Sequence, residues 1–157
     1  MFSTGNLSAF VIALCVLMAP SGRALAQNDA TYENQVRKTL QQGTLMKQAL
    51  SHNYNLLRDG YRYGYIETGK GNYQTASFHL EAGYVYLFLG ACDEDCRDMD
   101  FQLMDENHQI LAEDTDSDDT PGIQFQPRRS GDYTIVATMP RCNAFIGCYW
   151  AVQALWK

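Results

Sequence analysis

The chain predicts a mostly β fold, an antiparallel sandwich or barrel preceded by one helix. Three observations carry this. The apolar residues switch from a helical rhythm to a period of two near Tyr61. Roughly eight short alternating runs follow at 8–15-residue spacing, the pattern of a sandwich or barrel. No strand–helix–strand alternation appears, so a parallel sheet is not expected.

Residues 1–26 are expected to be a cleaved signal peptide. The run at 10–20, FVIALCVLMAP, is eleven residues long. That is the length of a signal-peptide core and short of the roughly 20 residues that a membrane-spanning helix requires. Ala24-Leu25-Ala26 supplies the small-x-small cleavage pattern, although no Lys or Arg precedes the run. Bulky Leu14 opposes a lipoprotein anchor at Cys15.

Residues 27–60 read as a helical lead. Tyr32, Val36, Leu40, Met46, Leu50 and Leu57 fall on one helical stripe. Asp29 and Glu33 suit the positive end of its dipole. Gly43 marks a break, and Asp59-Gly60 a terminating turn. A single helix cannot bury its own stripe, so the lead is expected to pack beside the sandwich.

Residues 61–157 supply the strands. Tyr61, Tyr63 and Tyr65 share one face, as do Ala76, Phe78 and Leu80. Residues 84–89 are apolar on both faces, as in a central strand. Met99, Phe101 and Leu103 alternate next, then a short strand at 109–112, then Ile123 and Phe125. Tyr133, Ile135 and Ala137 precede a last strand with Trp150, Val152 and Ala154 on one face. Successive antiparallel strands reverse direction. The loops at 90–97, 113–121 and 140–147 should therefore share one rim.

Composition narrows the function. The net charge of −6 becomes −7 once residues 1–26 leave. Nucleic acid, whose phosphates require Lys and Arg, is not an expected partner. No second apolar run reaches membrane-spanning length, so no span is expected after cleavage. Cys92, Cys96, Cys142 and Cys148 remain, an even count that reads as two disulfides in a secreted or periplasmic protein. Their spacing departs from common zinc ribbons, and the sequence alone leaves three connectivities open.

Twelve of the 18 carboxylates lie between Cys92 and Asp119, with Arg97 as the one base among them. Crowded carboxylates repel unless a cation intervenes, and calcium accepts six to eight oxygens from flexible loops. Asp93, Asp95, Asp98, Asp100, Asp114, Asp116, Asp118 and Asp119 are the candidate ligands, set against the plainer reading of a solvated acidic surface. The run is no EF-hand, since Asp119 stands at the glycine position and Phe125 at the closing Glu. His52, His79 and His108 lack metal spacing, and no nucleophile carries a local signature. Catalysis is therefore not expected, a carboxylate-based hydrolase being the remaining enzyme alternative. Tyr61, Tyr63 and Tyr65 are candidates for a sugar- or protein-binding face, or else they cover the helix stripe or the sandwich core.

From Glu81-Ala82-Gly83-Tyr84 onward the motifs resemble the bacterial pre-peptidase C-terminal domain. The resemblance runs through Gly90-Ala91-Cys92-Asp93-Glu94-Asp95-Cys96, the aspartate-rich strand Asp98-Met99-Asp100-Phe101-Gln102-Leu103, Asp105-Glu106-Asn107 and Asp118-Asp119-Thr120-Pro121. It ends in Gly131-Asp132-Tyr133-Thr134-Ile135 and the pair Cys142 and Cys148. It implies an antiparallel jelly-roll-like β-sandwich and a binding or accessory role. Some relatives bind calcium or a polymeric substrate. The expectation is then a secreted non-enzymatic module, with an unknown protein or polysaccharide as partner and calcium as the candidate cofactor. Its disulfides are expected as Cys92–Cys96 and Cys142–Cys148. Cross-pairing is the competing pattern, because the two loops share an end. The alternative is a carbohydrate-binding module using the tyrosine face.

Overall fold

The computed structural model describes residues 21–69 and 71–157. The apolar run at 10–20, expected to direct export, lies outside the described residues. Two helices, α1 (Ser21–Gln42) and α2 (Thr44–Ser51), precede eight strands. These are β1 (Asn55–Glu67), β2 (Tyr73–Leu80), β3 (Tyr86–Cys92), β4 (Cys96–Met104), β5 (Ile110–Asp114), β6 (Gly122–Phe125), β7 (Gly131–Cys142) and β8 (Gly147–Trp156).

The strands form two four-stranded sheets, in the orders β1-β8-β3-β6 and β2-β7-β4-β5. Every pairing is antiparallel. The chain steps from one sheet to the other along β1 to β4, the double-sheet arrangement of a jelly roll. Alternation along each strand sends Phe78, Phe88, Met99, Phe101, Leu103, Ile135, Trp150 and Val152 into the space between the sheets. Among these, Phe101 meets Trp150 edge-on at 6.0 Å between ring centroids.

The helices cover the outer face of the β8–β3 region. Val36, Leu40, Met46 and Ala49 pack on Leu89, Ala91, Ala151 and Leu155. This second layer explains why 84–89 and the last strand are apolar on both faces. Without helices, the outer face of an antiparallel sheet can remain polar. Gly43 breaks the helix as the sequence predicts, with an extended backbone (φ −60°, ψ 153°) between α1 and α2.

Three expectations shift. The helix does not begin at Asp29 but extends back to Ser21, so Asp29 and Ala24-Leu25-Ala26 both lie within α1 of the full chain. Nor does it reach Leu57, because α2 ends at Ser51 and Leu57 already belongs to β1. Asp59-Gly60 is a bulge inside β1 and not a turn. The register against β8 jumps between Leu56 and Tyr61, and Asp59 takes φ 56°. Glycine is needed beside it, since a Cβ at Gly60 would sit 2.9 Å from the Ala154 carbonyl oxygen. Such a bulge bends the strand and raises its twist.

Candidate functional site

Four connections meet at one pole of the sandwich, namely those that include 68–69 with 71–72, 93–95, 115–121 and 143–146. Backbone hydrogen bonds tie them to each other and to neighbouring strands. Asn143 N donates to Asp95 O (2.8 Å), Thr68 N to Ile146 O (2.9 Å) and Met99 N to Asp118 O (2.8 Å). The Thr68 hydroxyl adds a bond to Phe145 O at 2.9 Å.

Cys92 is joined to Cys96 and Cys142 to Cys148. Each bridge links a strand of one sheet to a strand of the other, β3 to β4 and β7 to β8. Cys96 and Cys142 are direct neighbours in the β4–β7 ladder. The two staples therefore lie side by side, and both hold the same rim closed.

The candidate carboxylates divide into builders and bystanders. Asp93 is buried, and its Oδ2 accepts the Tyr149 amide at 2.7 Å. Burial raises its pKa, partly offset by backbone amides of Tyr149, Asp95 and Cys96. Asp114 accepts from Asp116 N through Oδ1 (3.2 Å) and from Gly122 N through Oδ2 (2.8 Å). Asp118 Oδ1 accepts the Thr120 amide at 2.8 Å. These three acids shape loops, as Asp side chains do in turns. Asp100 takes a long bond (3.5 Å) from the Thr138 hydroxyl. Its pKa is raised by burial and then by Asp98. Asp98 and Asp100 project from the outer face of the β4 sheet rather than from the loops. Asp95, Asp116 and Asp119 are exposed on the rim, with Glu94 beside them. Among the described residues, no three His, Cys, Asp or Glu side chains are grouped so as to hold a metal ion.

The tyrosine face carries α1. Tyr149 of β8 stacks on Tyr32 of the helix (4.8 Å between centroids) and on Tyr63 (5.6 Å). Tyr65 tilts against the same ring. The hydroxyl of Tyr149 donates to Asp29 Oδ1 at 2.5 Å. That bond, with burial added, pushes its pKa up to about 12. Tyr63 donates to Asp29 O, and its pKa is raised chiefly by burial. The Arg37 guanidinium lies 3.8 Å from the centroid of Tyr61. The part of α1 from Asp29 to Arg37 thus rests on Tyr61, Tyr63 and Tyr149.

Sequence reasoning missed the rim's most exposed apolar residues. Phe145 is 98% and Ile146 70% exposed at the apex of the loop closed by Cys142–Cys148. The available signal was an apolar pair inside C-x5-C, where so short a closed loop reaches neither core. A cavity of about 520 Å³ lies at the opposite pole, lined in part by Asp105, Arg128, Arg129 and Tyr133. None of the candidate ligands borders it. Asp105 there is occupied by its own turn, accepting from Asn107 N and Gln109 N.

No family model matches the chain, and no curated protein matches it. Among solved structures it is similar to PliG of Aeromonas hydrophila, a periplasmic inhibitor of g-type lysozyme. That likeness has 13% identity and a TM-score of 0.43, over 64% of this chain and 92% of PliG. It is also similar to the pre-peptidase C-terminal domain of a collagenase from Bacillus anthracis. Here the identity is 11% and the TM-score 0.39, over 60% of this chain and 86% of that domain. Both likenesses are distant.

Proposed function

We propose that the chain is an exported, non-enzymatic binding module that engages a cationic partner outside the cytoplasm through its four-loop rim. One observation carries the reading: two disulfide-closed loops and the exposed acids Glu94, Asp95, Asp116 and Asp119 are fixed at one pole by bonds between loops. Carboxylates that build no loop are free to face a partner, and a fixed acidic surface steers basic molecules toward it. The two disulfides accord with an oxidising compartment, periplasmic or extracellular. Among the described residues no helix is long and apolar enough to cross a membrane.

The test compares the wild-type chain with an E94Q/D95N/D116N variant, each immobilised and exposed to extracts of the producing cell's envelope and medium. Basic proteins should be retained by the wild type, elute as salt rises, and be retained less by the variant. An identical retained set on both would overturn the reading. Calcium is a further candidate ligand of the same exposed acids. A higher Tm with calcium than with chelator adds the ion to the reading, and an unchanged Tm removes it.

A further inference from the structure

Folding does not explain Phe145 and Ile146 at the rim. A phenyl ring that is 98% exposed contributes no burial to the native state. The loop is nevertheless held firmly. Cys142–Cys148 closes it, Asn143 N is bonded to Asp95 O, and Thr68 binds both the Phe145 and the Ile146 carbonyls. Gly147 seats the loop against β1, where any Cβ would strike the Ile66 carbonyl oxygen. The backbone is anchored on every side, and the two apolar side chains point away from the molecule.

We infer that Phe145 and Ile146 are the insertion tip of the rim and enter an apolar cleft, bordered by Lys and Arg, on a partner protein. The inference rests on the binding reading above and names the contact within it. Rigid presentation removes much of the ordering cost of association. Aromatic anchors seated in desolvated pockets commonly dominate an interface. Charge chooses the partner. Glu67 pairs with Gly147 at the base of the tip, and Asp95 carries the carbonyl that holds Asn143. Glu94, Asp116 and Asp119 stand exposed on the adjoining loops. Arg97 and Arg141 at the same edge, with Lys70 counted from the adjoining stretch of sequence, are three bases against the five acids Glu67, Glu94, Asp95, Asp116 and Asp119. An anionic bilayer, the other surface that takes exposed Phe and Ile, would be repelled by such a ring. A protein cleft with a basic border would be drawn in.

The experiment uses the protein as its producing cell releases it and an F145S/I146S variant made in the same way. Both side chains are exposed, so the variant should melt with the wild type. A protein that the wild type retains and the variant does not is identified, purified and used as the probe in titration. The expected result is a basic protein whose Kd rises about tenfold or more with F145S/I146S, and whose affinity falls with salt. Vesicles of phosphatidylethanolamine and phosphatidylglycerol should bind neither form. The inference is overturned if no retained protein distinguishes the two forms, or if the vesicles bind the wild type and not the variant. If E94Q/D95N/D116N weakens capture while F145S/I146S does not, the tip fails and the acidic rim stands. If neither variant changes capture, both readings fail.

Discussion

Asp93 shows how a candidate ligand is turned into a structural residue. It is buried in the short loop that Cys92–Cys96 closes, and one oxygen holds the Tyr149 amide of β8, the strand paired with β3. Its pKa is raised in the fold, with burial as the leading cause. The folded chain therefore binds this proton more readily than the unfolded chain. The contribution to stability is present at acid pH and is lost as pH rises from about 4 through the folded pKa. D93N removes that titration. The wild-type Tm should accordingly fall relative to that of D93N as pH is raised from about 4 to 7, and a constant difference would contradict the assignment. The sign comes from burial winning over nearby backbone amides, with Oδ1 buried and without a hydrogen-bond partner among the described residues, a balance that no residue-type pattern reveals. Sequence identified the aspartates of the rim but could not sort those that hold amides from those that face water.

At the scale of elements, α1 and α2 are a cover and not a separate unit. Leu40 is buried between α1 and the sheet, whereas Leu50 on the same predicted stripe is 48% exposed. Leu40→Ala should cost about 2–5 kcal/mol, since it empties a packed site. Leu50→Ala should stay within about 0.5 kcal/mol. Urea melts of the two variants check this, and equal losses would contradict the packing. The alternating strands were legible because each sheet has a dry inner face, which stamps a period of two on Ala76-Phe78-Leu80 and Met99-Phe101-Leu103. The start of β1 was not legible. Asn55-Leu56-Leu57-Arg58 lacks alternation, and the bulge at Asp59 resets the phase before the tyrosines begin. The tyrosine face was visible as a face, but alternation does not say which layer covers it. That awaited the placement of Tyr32 on Tyr149.

At the scale of the molecule, the two poles have different characters. One gathers both disulfides, the acid-rich loops and the Phe145 tip, and the other holds the cavity edged by Arg128 and Arg129. The common rim was readable from strand reversal alone, because every pairing in both sheets is antiparallel. The stapling of one sheet to the other was not readable. It depends on β3 and β4, and likewise β7 and β8, lying in different sheets, which consecutive order in the chain does not fix. Both bridges close loops only four and six residues apart in sequence. Each should add only about 2 kcal/mol through chain entropy, so their larger effect is on the shape of the rim. The most direct measurement is an amide chemical-shift map of the protein during titration with the basic protein that the rim captures. Shifts concentrated at 67–72, 93–97, 114–121 and 142–148 are the predicted result. Shifts centred on 126–133 or on the outer face of α1, with the rim unmoved, would contradict the account.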